Sequence, residues 1–188
     1  MLRRSNPWLQ CITIALLHCS IAGAHVERYP KRDALTIAPT GLRLTVDYLV
    51  PSGDVALALR KIFDRDHSGA LDDGERAALR EHLAKEATVF LRVSLDGRDV
   101  KLEPRTTIAD VSGAEDERMT VHVELAATQQ IAEGDHRVLV SDHHKDRRIA
   151  VPLRVTLAAG VRWKSRPPLL ITVDGAHDAE LAVVVTRP

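Results

Sequence analysis

Residues 42–50 read Leu-Arg-Leu-Thr-Val-Asp-Tyr-Leu-Val. Leu42, Leu44, Val46 and Tyr48 alternate with Arg43, Thr45 and Asp47, the period-two signature of a half-buried strand. Upstream, Pro39-Thr40-Gly41 is turn chemistry, and Leu35-Thr36-Ile37 before it forms a second strand. The segment before that, His25 to Asp33 with Pro30, is polar and predicts a tail or an edge lead-in. Downstream, Pro51-Ser52-Gly53 ends the strand and Asp54 is a candidate helix N-cap. Val55, Leu59, Ile62 and Phe63 then recur at helical spacing. After an acidic stretch, a second helix is predicted from Asp73 to about Thr88, with Leu79, Leu83 and Ala87 on one face.

The remainder returns to strand periodicity. Val89, Leu91, Val93 and Leu95 alternate up to Asp96-Gly97, a strong hairpin turn, and Val100 and Leu102 run back. Thr106 to Arg118 is polar and predicts a loop. Met119 to Leu125, His136 to Val140, Ile149 to Leu157, Leu169 to Val173 and Leu181 to Val185 are further strands. Many short strands at such spacing argue for an antiparallel sandwich. The fold class expected is α+β: an antiparallel β-sandwich-like domain over residues 25–188, with a helix–loop–helix inserted at about 54–88.

The inserted loop carries the chemistry. Residues 64–75 read Asp-Arg-Asp-His-Ser-Gly-Ala-Leu-Asp-Asp-Gly-Glu. Calcium is a hard cation that takes six to eight oxygen ligands at about 2.3–2.6 Å. Asp64, Asp66 and Ser68, at loop positions one, three and five, supply side-chain oxygens. Gly69 permits the sharp bend at position six. Ala70 offers its backbone carbonyl, Asp72 binds directly or through a water, and Glu75 is long enough to reach back with both oxygens. Leu71 packs the loop onto the helices, and His67 occupies a non-ligand position. The pattern resembles the EF-hand calcium-binding family at every diagnostic loop position. The resemblance covers roughly Asp54 to Thr88 and implies Ca2+ as the bound ion. EF-hands usually pair, and Asp110 to Glu117 and Asp174 to Glu180 lack the spacing for a second loop. A lone hand must meet another chain or be braced by the β-domain. Ser68 in place of a carboxylate, and Arg60 where an apolar residue is common, predict weak binding, at about 10⁻⁴–10⁻³ M.

The N-terminus is read as a secretory signal. Arg3 and Arg4 precede a short apolar run from Leu9 to Ala22, and Ala22-Gly23-Ala24 supplies small residues before a cut at His25. The run is shorter than the ~20 residues of a spanning helix, and an uncleaved membrane anchor is the rival reading. Its removal takes away Cys11 and Cys19, the only cysteines, so neither a disulfide nor thiolate chemistry is expected in the mature chain. A periplasmic or secreted location follows. The formal net charge of +0 gives no basis for a nucleic-acid partner. The chain has 188 residues, 3% of them aromatic, so a core of Val, Leu, Ile and Ala is expected.

In the order signal, strand, hand, hairpin, the chain is also similar to the extracytoplasmic N-terminal region of some bacterial membrane proteins of the nickel/cobalt-transporter type. Those proteins continue into membrane helices, which are not found here. The likeness therefore implies an accessory role beside a membrane or envelope partner rather than transport. A transition-metal alternative rests on Asp142, His143, His144 and Asp146. Against it, adjacent histidines in a strand point to opposite faces, and Lys145, Arg147 and Arg148 would repel a cation. A polar hairpin loop is the simpler reading of that segment, and an exposed loop that of Trp163 with Arg162, Lys164 and Arg166. There is no Gly-x-Ser-x-Gly elbow, no His-Glu-x-x-His and no phosphate-cradling glycine loop. A non-enzymatic calcium binder is the expectation.

Overall fold

A computed structural model describes residues 30–110, 117–143, 150–165, 171–173 and 178–186. The expected signal segment, residues 1–24, lies outside them. The alternation of residues 42–50 is realised as β2 (Gly41–Val50), paired antiparallel with β1 (Lys31–Ala38) and with β6 (Met119–Ala127). Leu44 stands opposite Leu35 on one side and Leu125 on the other, so a row of apolar side chains crosses three strands. β1 continues into β8 (Val151–Leu157), the one parallel pairing among the described residues, with Asp33 opposite Leu153. With β10 (Thr172–Val173) and β5 (Glu103–Asp110) at its edges, this sheet has the order β10-β8-β1-β2-β6-β5.

The second sheet has the order β4-β3-β7-β11-β9, from β3 (Leu91–Leu95), β4 (Arg98–Val100), β7 (Gly134–Asp142), β9 (Val161–Trp163) and β11 (Ala179–Val185). Val46, Val123, Val140 and Val183 are wholly buried members of one core cluster shared by both sheets. The fold is therefore α+β: among the described residues, two largely antiparallel sheets and two helices surround an aliphatic core. The Asp96-Gly97 turn is tied down from β7. The Asp96 carboxylate accepts the Arg137 backbone N–H at 2.9 Å and meets His136 Nδ1 at 2.7 Å, while His136 Nε2 lies 2.8 Å from the Ala132 carbonyl. Two acceptors facing both ring nitrogens suit the protonated ring.

α1 (Asp54–Phe63) and α2 (Asp73–Phe90) lie between β2 and β3 in sequence. α2 packs against β5 and β6 of one sheet and β3 of the other. Leu79 and Leu83 are wholly buried there, each contributing about 1.5–3 kcal/mol. α2 is thus braced by both sheets, and α1 packs against α2.

Several expectations are corrected. Asp54 is the first helical residue; the N-cap is Gly53, at φ 91° and ψ −145°, a conformation open essentially to glycine alone. α1 buries Ala56, Leu59 and Arg60, whereas Ile62 is exposed. Val89 belongs to α2 and not to the following strand. Thr106 to Arg118 is not a loop throughout: β5 runs to Asp110, with a bulge between Pro104 and Thr106, and residues 111–116 lie outside the description. An edge strand with most side chains in solvent has no need of apolar alternation, so its sequence looked like loop. Trp163 likewise sits in edge strand β9. Lys31 and Asp33, expected in a polar tail, point inward from β1. Asp142 is not in a polar hairpin loop; it ends β7, buried and ion-paired to Lys31.

Candidate metal centre

The loop begins where α1 stops. The Asp64 backbone N–H donates to the Arg60 carbonyl, closing the last turn, and Asp64 then leaves helical geometry. His67, with φ 57°, and Gly69, with φ 84°, turn the chain back on itself. For Gly69 this is the bend that position six demands. His67 tolerates the strain as an exposed residue and takes no part in the carboxylate group.

The reversal brings Asp64, Asp66 and Glu75 together. One carboxylate oxygen from each lies within 4.8 Å of the others. Oxygens around one calcium ion can be up to about 5 Å apart, twice the Ca–O distance, so the spacing fits. Asp64 is only 7% exposed and Glu75 only 5%, whereas Asp66 faces solvent. No lysine or arginine among the described residues pairs with these three.

Backbone amides hold the carboxylates in place. Asp64 Oδ1 accepts the Ser68 N–H at 3.0 Å and Oδ2 the Gly69 N–H at 3.1 Å. Asp66 Oδ1 accepts the Ser68 N–H at 3.0 Å. Glu75 Oε1 accepts the Arg65 N–H at 2.6 Å and Oε2 the Asp72 N–H at 3.0 Å. Each oxygen keeps a second lone pair, so these bonds orient the carboxylates without exhausting their acceptor capacity. The Ser68 hydroxyl and backbone N–H hold the Asp66 carboxyl below its ordinary value. The Ser68 hydroxyl donates to the Ala70 carbonyl at 2.9 Å, which puts both oxygens at one spot.

Asp72 has a different task from the other acids. Its Oδ1 accepts the Glu75 N–H at 2.8 Å while Glu75 returns the bond to the Asp72 N–H, a reciprocal capping box at the start of α2. It stands outside the three-carboxylate group. The same Glu75 therefore caps the exit helix and belongs to the three-carboxylate group, coupling the helix start to that group. Leu71, 4% exposed, anchors the loop in the common core.

Of the histidine alternative, only Asp142 and His143 fall among the described residues. Asp142 is engaged with Lys31, His143 is exposed with its N–H on the Phe90 carbonyl, and His144 and Asp146 lie outside the described residues. No family model matches the chain, and no curated protein matches it. Among the described residues no helix is long and apolar enough to cross a membrane.

Sequence reasoning missed one polar cluster, Lys31, Asp33 and Asp142. A signal was present: residues 31, 33, 35 and 37 share one parity, so Lys31 and Asp33 fall on the face that Leu35 and Ile37 define.

Proposed function

We propose that the protein binds calcium through residues 64–75 and that it is an exported, non-enzymatic protein whose helix pair the ion stabilises against the sheets. The observation that carries this reading is the convergence of two nearly buried carboxylates, Asp64 and Glu75, and exposed Asp66, with no side-chain cation paired to them among the described residues. Like charges so close and so poorly solvated favour a divalent cation between them. Asp64, Asp66, Ser68 and Glu75 would supply side-chain oxygens, Ala70 its carbonyl, and Asp72 a water-mediated contact. The hard oxygen set suits calcium over softer transition metals.

Stabilisation is favoured over a sensor role by the packing. Leu71, Leu79 and Leu83 are buried in the one core that the sheets share, so opening the helix pair would cost the burial that holds the domain together. An envelope partner remains part of the proposal through the likeness of element order. The test is calorimetric calcium titration of the chain with Glu75→Gln as control. Binding at about 10⁻⁴–10⁻³ M that the substitution abolishes supports the reading. Equal binding by both, or none at millimolar calcium, sinks it.

A further inference from the structure

A second cluster lies between the sheets and does not depend on calcium. Lys31 Nζ is 2.5 Å from Asp142 Oδ2, with side chains only 8% and 3% exposed. Lys31 starts β1 in one sheet and Asp142 ends β7 in the other, so the pair spans the sandwich. Two residues along the same face of β1 stands Asp33, 2% exposed, and neither of its carboxyl oxygens has a hydrogen-bond partner among the described residues. Its strand neighbours are Val46 and Leu153, and Tyr48 lies opposite Lys31; all three are buried. A buried carboxyl without a partner is costly and calls for a use.

We propose that Lys31, Asp33 and Asp142 form a self-modification site, in which Lys31 Nζ and Asp142 Cγ join as an amide cross-link between the two sheets and Asp33 carries the protons. In a dry interior the ammonium can hand a proton to the carboxylate, leaving a neutral amine beside a carboxylic acid. The nitrogen lone pair attacks Cγ and the N–C bond forms. Asp33 takes a proton from that nitrogen and returns one to the departing hydroxyl. The C–O bond breaks, one water leaves, and Asp33 ends as it began. Nothing is oxidised or reduced. Fixed contact between amine and carboxyl supplies the proximity such condensation needs. Burial, opposed by Lys31 and reinforced by the Asp142 and Asp47 charges, pushes the Asp33 carboxyl up to about 7, where it can give and take a proton near neutrality.

The test is mass spectrometry of the full chain after denaturation. The expected result is a mass lower by one water, and a tryptic product in which residues 29–32 are joined to residues 138–145, with cleavage after Lys31 blocked. Lys31→Arg and Asp142→Ala should both lack it. Asp33→Asn keeps both reacting groups and should cross-link at least tenfold more slowly, whereas Asp33→Glu should restore the pH-dependent rate. Wild-type chain at full mass, cleaved normally after Lys31, overturns the proposal whatever the variants do. Asp33→Asn linking at the wild-type rate removes Asp33 from it.

Discussion

Both the inserted loop and the seam between the sheets bury carboxyl groups, but they treat them in opposite ways. In the loop, each oxygen of Asp64 and Glu75 meets a backbone N–H, and the amides come from turns that leave them pointing inward. In the seam, Asp33 receives none, because strand amides are consumed by the ladders on both sides of β1. Amides aimed at a carboxylate hold its oxygens where a cation can meet them. A carboxyl surrounded by valine and leucine keeps its proton, and a neutral acid can take part in proton transfer instead. Backbone shape, more than residue type, decides which chemistry an aspartate performs.

The comparison can be broken most severely at the packing both regions share. Leu79→Ala should cost about 2–5 kcal/mol, read as a lower urea midpoint at unchanged slope. A loss under about 1 kcal/mol would show that the helices are not seated on the sheets. Next comes the seam itself. The Asp33 carboxyl ionises near 3.8 when unfolded and near 7 when folded, so the folded chain binds the extra proton across that window. Its contribution is therefore full below about 3.8 and lost as pH rises toward 7. Asp33→Asn should flatten this slope, changing stability across the window by about 4 kcal/mol relative to wild type. Parallel pH–stability curves for the two would contradict the seam's part of the contrast.

The loop should respond to metal by a similar but smaller amount. Calcium at a hundredfold excess over its dissociation constant should add about 2.7 kcal/mol, visible as a higher melting temperature that a chelator reverses and Glu75→Gln abolishes. Asp72→Ala, measured in chelator, should cost about 1 kcal/mol through loss of the cap alone. No effect without metal would make Asp72 purely a ligand.

The smallest effect belongs to His136. Burial disfavours its charged form, but the Asp96 carboxylate and the Ala132 carbonyl outweigh this and hold it above its ordinary value. Its contribution should be full below about 6.5 and lost as pH rises past the folded value, so His136→Gln should matter by about 0.5 kcal/mol in acid and not in alkali. A loss that persists in alkali would assign the pair a packing role only.

Where burial and periodicity agree, the sequence was legible. Leu42 to Tyr48 and Met119 to Leu125 alternate because one face is core, and they are β2 and β6. The convergence of Asp64, Asp66 and Glu75 was legible because their spacing is set by the turn and not by the surrounding fold. β5 and β9 were hidden because edge strands tolerate polar residues on both faces, as Ile108, 59% exposed, shows in reverse. Lys31 and Asp33 were hidden because charged side chains argue for solvent, while their strand parity argued for the interior. Here tertiary placement overrode composition. Asp142 could not be placed at all without its distant partner.

The parallel pairing of β1 with β8 sets a constraint on assembly. β1 and β2 can close as a local hairpin, but the other side of β1 stays open until residues 151–157 arrive from more than a hundred positions downstream. Such late, long-range closure is slow, and the waiting edge is a template for strands of other molecules. Newly made chain should therefore be most prone to aggregate, or to need a chaperone, before β8 docks.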